Sequence, residues 1–98
     1  FGNLPKEVST LLEIINIKQY CKNTNVYKID AGKNGINLKF YNDIFPKPEN
    51  LLKYITKNSE RILVSSDQSI IIKKDMSNKN ERIRLVKEEL KMISDLLI

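Results

Sequence analysis

Residue types that commonly carry catalysis or bind metals are scarce in this sequence. Its 98 residues include no His and a single Cys, Cys21, so the commonest general base and metal ligand is missing and no zinc-binding set can form. The segment Gly32-Lys33-Asn34-Gly35 has the composition of a phosphate-binding loop. That motif, however, requires two glycines five positions apart, followed by Lys and Ser or Thr at the start of a helix. A strand-like run follows here instead, so the pattern predicts the tip of a hairpin and not a nucleotide site.

The carboxylates also occupy positions that structural roles explain. Four of them lie at predicted turns or strand ends, where a carboxylate accepts hydrogen bonds from backbone N–H groups. These four are Asp30, Asp43, Asp67 and Asp75. Acid–base hydrolysis needs two carboxyl groups in differently tuned environments, and no such pair stands out, whereas a Lys base acting on a Ser or Thr nucleophile stays open. We expect a non-catalytic domain that binds no metal and no cofactor.

The net charge of +5 favours a nucleic-acid-binding interpretation, because Lys and Arg neutralise phosphates. Only three of the 17 basic residues are Arg, the better reader of phosphates and bases. The best case for this interpretation is a basic sheet surface near Tyr27 and Tyr41, on which bases could stack. Its lysines are Lys28, Lys39, Lys73 and Lys74. Because the signature of an RNA-recognition motif is absent, we expect solvated lysines there and keep a basic nucleic-acid-binding module as the alternative function.

The overall composition is that of one folded domain. Of all residues, 41% are hydrophobic and 30% are charged, which is unlike a disordered chain, and 98 residues suffice for one core but not for two. We therefore expect a single domain covering residues 1–98. No uninterrupted apolar run exceeds three residues, so no segment is expected to cross a membrane.

Two further features concern the cellular compartment of the chain and whether it is part of a larger protein. Cys21 lies in an apolar helical stretch, which favours a buried thiol and a reducing, cytoplasmic location. The sequence starts at Phe1 without Met and without a signal-peptide pattern, which indicates a fragment excised from a larger protein.

A first helix is predicted over residues 6–22, because Pro5 suits a helix start and no Gly or Pro follows. Its apolar side chains form two adjoining rows at spacings of three and four. One row is Val8, Leu11, Leu12 and Ile15, and the other is Ile14, Ile17 and Cys21. We interpret this wide apolar face as a helix wedged between a sheet and another helix; the alternative is that part of it contacts a partner. A left-handed Asn within residues 23–25 is expected to end the helix.

The remaining elements are two hairpins and two helices. Residues 26–30 and 36–41 read as strands joined by residues 31–35, with Ile36, Leu38 and Phe40 on one face. A second strand–turn–strand covers 62–65 and 69–73. Between the hairpins, Pro48 starts a helix that ends at residue 57 and turns Leu51, Leu52 and Ile55 inward.

The last helix begins at a capping box, with Asn78 as N-cap and Glu81 three residues later; Ser77 is an alternative N-cap. Its apolar row has the regular spacing of a helix packed along its length. That row is Ile83, Val86, Leu90, Ile93 and Leu97. The fold class is therefore α+β, in the order helix–hairpin–helix–hairpin–helix, with about four strands in one sheet covered by helices.

Three segments carry a resemblance to a known family. They are residues 1–8 (FGNLPKEV), 11–14 (LLEI) and 26–30 (VYKID). Together they strongly resemble the C-terminal domain of the bacterial transcription-repair coupling factor, whose pattern reads Phe-Gly-x-Leu-Pro-x-x-Val, a Leu-Leu-acidic-Ile helix and a Lys-Ile/Leu-acidic strand. The chain departs from the family at Thr24-Asn25, where Leu-Gly is common, and at Ile15 and Asn16, where the family has Ala and Arg. The second departure widens the apolar face of the helix.

The resemblance implies a non-catalytic regulatory domain at the end of an ATP-driven, helicase-like DNA translocase that removes stalled RNA polymerase and recruits excision repair. It implies that ATP and Mg act in the motor of the parent protein. The domain is expected to dock on the parent's own N-terminal module, which is excinuclease-B-like. Docking is then expected to mask the surface of that module that binds excinuclease A, so that the domain is autoinhibitory.

The resemblance also guides the choice of candidate residues. Its motif residues Phe1, Gly2, Leu4, Pro5 and Leu11 are expected to fix the start of the first helix against the core. The candidate docking contacts are the loop residues Ile44 and Phe45, and the basic helix face carrying Lys87 and Lys91. The alternative roles of these two sites are a satellite core contact and a solvated helix face.

Overall fold

In a computed structural model, which describes residues 5–97, the first described element is the helix α1, Lys6–Thr24. Pro5 precedes it with extended backbone angles and acts as its N-cap. Asn25 ends it in the left-handed conformation, with φ 61°, and its N–H donates to the Cys21 carbonyl. The left-handed Asn stop is thereby confirmed. The helix is two residues longer than predicted, because Asn25 and not Asn23 adopts this conformation.

The other elements follow the predicted order and confirm the α+β class. They are β1 Val26–Gly32, β2 Gly35–Phe40, α2 Pro48–Lys57, β3 Ile62–Val64, β4 Ile70–Lys73 and α3 Arg82–Leu96. The four strands form one antiparallel sheet in the order β1-β2-β4-β3. β1 and β3 are therefore the edges of this sheet, and β1 carries a bulge near Tyr27.

The first hairpin is tighter than its sequence predicts. Both strands continue to the glycines, so only Lys33 and Asn34 form the turn. Gly35 lies beside β4 with φ 156°, and a Cβ there would collide with the Ile72 carbonyl. Glycine is therefore needed at this position for the close approach of β2 to β4.

The core lies between one face of the sheet and the helices. The predicted alternation of β2 is confirmed, because Ile36, Leu38 and Phe40 are all buried. The strands β3 and β4 add Ile62, Ile70 and Ile72, and the helices add Leu51, Ile55, Val86, Leu90, Ile93 and Leu97. Each such side chain contributes roughly 1.5–3 kcal/mol by leaving water. The inward orientation predicted for Leu52 is wrong, since this side chain is exposed on the solvent side of α2.

The start of α3 differs from the predicted capping box. The side chain of Asn78 accepts a hydrogen bond from the Asn80 N–H at 3.0 Å and caps a short 3₁₀ turn, Lys79–Glu81. Glu81 contacts Arg84 at 3.3 Å instead of returning to the cap. The helix proper then starts at Arg82.

A buried ion network ties α3 to the second hairpin. The Glu89 side chain is 5% exposed, and both of its oxygens accept from Arg61 Nη1 at 3.1 Å. Lys74 Nζ donates to the same carboxylate at 3.1 Å, and Arg61 Nη2 donates to the Tyr54 hydroxyl at 2.9 Å. Partial burial of Arg61 opposes its charge, but Glu89 outweighs this effect and raises the pKa of the guanidinium. The network fixes the second half of α2, the start of β3 and the end of β4 relative to the middle of α3.

Candidate docking surface

α1 has one packed face and one face without a neighbour. On the packed face, which runs along α3, Ile17, Tyr20 and Cys21 contact the core and Thr24 is buried. On the other face lie Val8, Leu11, Leu12 and Ile15, each between 42% and 56% exposed. We call these four side chains the α1 stripe. The wedged-helix interpretation is therefore wrong for this row, because α3 covers only the opposite side.

The α1 stripe is an unusual surface for a small domain. Single exposed aliphatic residues are common on soluble proteins, but contiguous apolar patches often mark interaction sites. The four side chains are spaced at i, i+3, i+4 and i+7, so they form one continuous row on the helix surface. This row is the pattern that a second helix recognises.

A groove adjoins the stripe between α1 and the edge strand β1. It has a volume of about 630 Å³, and its apolar lining includes Ile14, Ile17 and Ile29. Lys18 and Lys22 also line it, and neither pairs with a carboxylate among residues 5–97. We call it the α1 groove. It combines apolar contact area with two cationic groups that are free to bind an anion.

The end of the α1 groove carries two tyrosines and the single cysteine. The rings of Tyr27 and Tyr41 pack with their centroids 5.4 Å apart and their planes tilted by 47°. Cys21 lines the groove and is half-buried, where burial raises the pKa of its thiol. The predicted buried thiol is thus only partly shielded and faces the groove.

The predicted loop contacts, Ile44 and Phe45, have different environments. Phe45 is partly buried and packs edge-on against Phe40, with ring centroids 5.2 Å apart. Ile44 is 58% exposed, and its carbonyl accepts from Asn25 Nδ2 at 2.9 Å. The loop is therefore anchored next to Asn25, which also lines the α1 groove. Ile44 extends the exposed apolar surface at that end, whereas Phe45 supports the loop from the core.

The predicted basic face of α3 lies elsewhere. Lys87 Nζ is 3.9 Å from Glu13 Oε1 and bridges α3 to the middle of α1, while Lys91 is exposed. Glu13 and Asn25 are separated by about 18 Å along α1 at 1.5 Å per residue. The four sequence candidates therefore do not converge on one compact site. Sequence reasoning identified Lys18 and Lys22 only as part of the charge count.

The sheet surface offers little support for base stacking. On the face turned away from the helices, Lys28 lies 3.9 Å from Asp30 and Lys39 lies 3.9 Å from Asp67. Lys74 is held by the buried Glu89, and both tyrosines line the α1 groove. Within residues 5–97, no three His, Cys, Asp or Glu side chains are grouped so that they could hold a metal.

Comparison with known proteins identifies the family of the chain. The model of the TRCF domain matches residues 1–51, which contain α1, the first hairpin and the start of α2. The chain belongs to the TRCF domain family. It is 34% identical over 80 residues to a protein of Rickettsia conorii and 30% identical over 79 residues to one of Rickettsia bellii, both called transcription-repair-coupling factor. These alignments cover 82% and 81% of the chain and 7% of each relative.

The chain therefore spans about 7% of the length of the curated relatives it matches. The match confirms the family that the first segments resemble. In this TRCF domain the motif residues Phe1, Gly2 and Leu4 lie outside the described residues. Pro5 lies one residue before α1 and is exposed, so it marks the start of the helix but does not fix it against the core. Leu11 is 56% exposed and does not pack against the core, so the structural role predicted for it is wrong.

No helix within residues 5–97 combines the length and the hydropathy needed to span a bilayer.

Proposed function

We propose that this TRCF domain is a non-catalytic regulatory module of a transcription-repair coupling factor, acting in transcription-coupled DNA repair in the cytoplasm. The observation that carries the proposal is the match of residues 1–51 to the TRCF domain, together with relatives that bear the name of that factor. In this proposal the domain docks on the parent's own excinuclease-B-like N-terminal module. It thereby masks the surface of that module that recruits excinuclease A.

The proposed mechanism is displacement of a weak contact. A tethered domain experiences an effective concentration that can reach about 1 mM, so a modest interface keeps the closed state populated. Engagement of RNA polymerase and DNA by the parent protein then favours the open state and releases the module. ATP and Mg belong to the motor of the parent protein, and the domain itself contributes binding without making or breaking bonds.

The candidate contacts divide by their exposure. Ile44 and Lys91 are exposed and able to contact a partner directly. Phe45 and Lys87 contact neighbouring residues of the domain instead, since Phe45 packs on Phe40 and Lys87 bridges to Glu13. We propose that substitutions of Ile44 or Lys91 weaken docking without unfolding the domain, because neither side chain contributes to the core.

The test is a titration of the ¹⁵N-labelled chain with the separately expressed N-terminal module at physiological salt. Saturable shifts confined to one patch are expected, either around Ile44 and reduced by Ile44→Ser, or around Lys91 and reduced by Lys91→Glu. The matched control is Lys53→Glu, an exposed charge change on α2. The absence of any saturable shift contradicts the proposal.

Duplex DNA serves as the second ligand in the same experiment, because the net charge of +5 favours the alternative of nucleic-acid binding. Phosphate-driven binding weakens steeply with salt, with a slope of about −0.9 per neutralised phosphate. A partly apolar docking surface depends much less on salt. Tight DNA binding at physiological salt, without binding of the module, contradicts the proposed function and supports the alternative.

A further inference from the structure

The α1 stripe and the α1 groove form one surface along the length of α1. The row Leu11, Ile15, Lys18 and Lys22 has spacings of four, three and four, so it follows one side of the helix. Its N-terminal half is aliphatic and exposed, and its C-terminal half is cationic and borders the groove. The exposed Ile44 lies beyond the cationic half, because its carbonyl is held by Asn25 at the end of α1.

The apolar side chains of this surface indicate the shape of a partner that could bind there. An amphipathic helix buries its apolar face against side chains at i, i+3, i+4 and i+7, which is the spacing of the α1 stripe. β1 is less suited to bind an added strand, although it is an edge of the sheet. It has a bulge near Tyr27 and carries the charged side chains Lys28 and Asp30, and both features discourage strand pairing.

The lysines of this surface indicate the charge of a partner that could bind there. Lys18 and Lys22 are four residues apart on the same side of α1, where like charges repel. Neither has a carboxylate partner among the described residues. Glu13, the nearest carboxylate of α1 in sequence, lies on the seam with α3 beside Lys87. A carboxylate supplied from outside therefore relieves this repulsion as well as forming an ion pair.

We infer that the α1 stripe and the α1 groove dock an amphipathic helix of the same longer protein, one that presents aliphatic side chains to the stripe and carboxylates to Lys18 and Lys22. The chain spans only about 7% of its relatives, so most of such a protein is available to supply this helix. The inference rests on the proposed function, because it names the surface and the partner chemistry of the same docking event.

The first test uses two synthetic helical peptides of about 18 residues, roughly five turns. Both carry the same leucine row, and their flanking charges are Glu in one and Lys in the other. Cys21 is the only cysteine and lines the groove, so its alkylation by a maleimide reports occupancy. The Glu peptide is expected to slow alkylation at least about fivefold and to bind about tenfold more tightly than the Lys peptide.

Variants distinguish this surface from non-specific binding. The double variant K18E/K22E is expected to reverse the preference between the peptides, and L11S/I15S is expected to abolish binding of both. All four residues lie outside the buried core, so circular dichroism should show that both variants remain folded. Equal protection by both peptides, or an unchanged preference in K18E/K22E, overturns the inference.

The failure of this inference is separable from the failure of the proposed function. If the N-terminal module binds the wild-type chain and K18E/K22E equally well, the inference is overturned and the proposed docking stands. If the module does not bind but the Glu peptide protects Cys21, the proposed function is overturned while the surface chemistry is supported. Sedimentation equilibrium tests the remaining possible partner, a second copy of this chain. A dimer that is lost in L11S/I15S overturns the inference.

Discussion

The helices α1 and α3 both carry aliphatic side chains at three- and four-residue spacings, but the structure uses them differently. In α3, Val86, Leu90 and Ile93 are buried against the sheet and the neighbouring helices. In α1, Leu11 and Ile15 remain about half exposed. The difference lies in the number of neighbours, because α3 lies between α1 and α2 whereas α1 has a neighbouring helix on one side only.

This comparison separates apolar surface that stabilises the fold from apolar surface that is available for binding. Buried side chains contribute free energy of folding roughly in proportion to the area they remove from water. The α1 stripe contributes little of this kind, so its four aliphatic residues have no large structural role in the isolated domain. The substitutions below test that division, from the largest expected effect to the smallest.

The largest contrast is expected between a buried leucine of α3 and an exposed leucine of α1. Leu90→Ala should lower the free energy of unfolding by about 2–5 kcal/mol, because it removes a fully buried side chain and leaves a cavity. Leu11→Ala should change it by no more than about 0.5 kcal/mol. Urea denaturation followed by circular dichroism measures both. Similar losses in the two variants contradict the assignment of the α1 stripe to binding.

The next contrast lies within α3, between Glu89 and its neighbour Glu88. Glu89→Gln should cost about 2–3 kcal/mol, because it removes the charge that Arg61 and Lys74 share. This loss is smaller than for a fully buried pair, since both cations are about one-third exposed.

Glu88→Gln is the matched control for that change. Glu88 pairs with Arg84 at 2.7 Å on the solvent side, and its loss should cost far less than the loss of Glu89, because solvent screens this exposed pair. The same urea experiment compares the two variants. A cost for Glu89→Gln no larger than for Glu88→Gln excludes a structural role for the buried network.

Cys21 provides a pH-dependent readout of the α1 groove. Desolvation raises the pKa of its thiol, so the folded state holds this proton more tightly than the unfolded state does. Stability from this group is present below the ordinary thiol pKa and is lost as pH rises through the folded value. Alkylation should accordingly be slower than that of a free thiol and should increase at higher pH. A rate profile equal to that of an unstructured cysteine peptide contradicts this environment.

The smallest effect is expected at the seam between the two helices. Glu13 and Lys87 approach to only 3.9 Å and are each about one-quarter exposed. A double-mutant cycle of Glu13→Gln and Lys87→Met should give a coupling below about 1 kcal/mol, because solvent screens the pair. A coupling of several kcal/mol indicates that this pair, and not apolar packing, holds α1 on α3.

Much of the fold could be predicted from local sequence signals. Pro48 starts α2, Asn25 stops α1, and the alternation of Ile36, Leu38 and Phe40 assigns the inner face of β2. These signals depend on the chemistry of a few adjacent residues. They are therefore visible before any tertiary contact is known.

Features that depend on distant residues could not be predicted in the same way. Spacing identifies the two apolar rows of α1 but does not reveal how many elements cover them, so it favours an interior position even for the row that is exposed. Glu89 is buried because Arg61 and Lys74, which are 28 and 15 residues away, converge on it. The cationic part of the groove depends on the position of β1 beside α1, which the sequence does not specify.

The most direct test of the docking surface is the titration of the ¹⁵N-labelled chain with the N-terminal module proposed as its partner, followed residue by residue. The account predicts saturable shifts along the exposed side of α1, from Val8 to Lys22, and around Ile44. It also predicts that K18E/K22E removes these shifts. Shifts confined to the outer face of the sheet, with α1 unaffected, contradict it. Shifts confined to the surroundings of Lys91 overturn the α1 docking surface and leave the proposed docking in place.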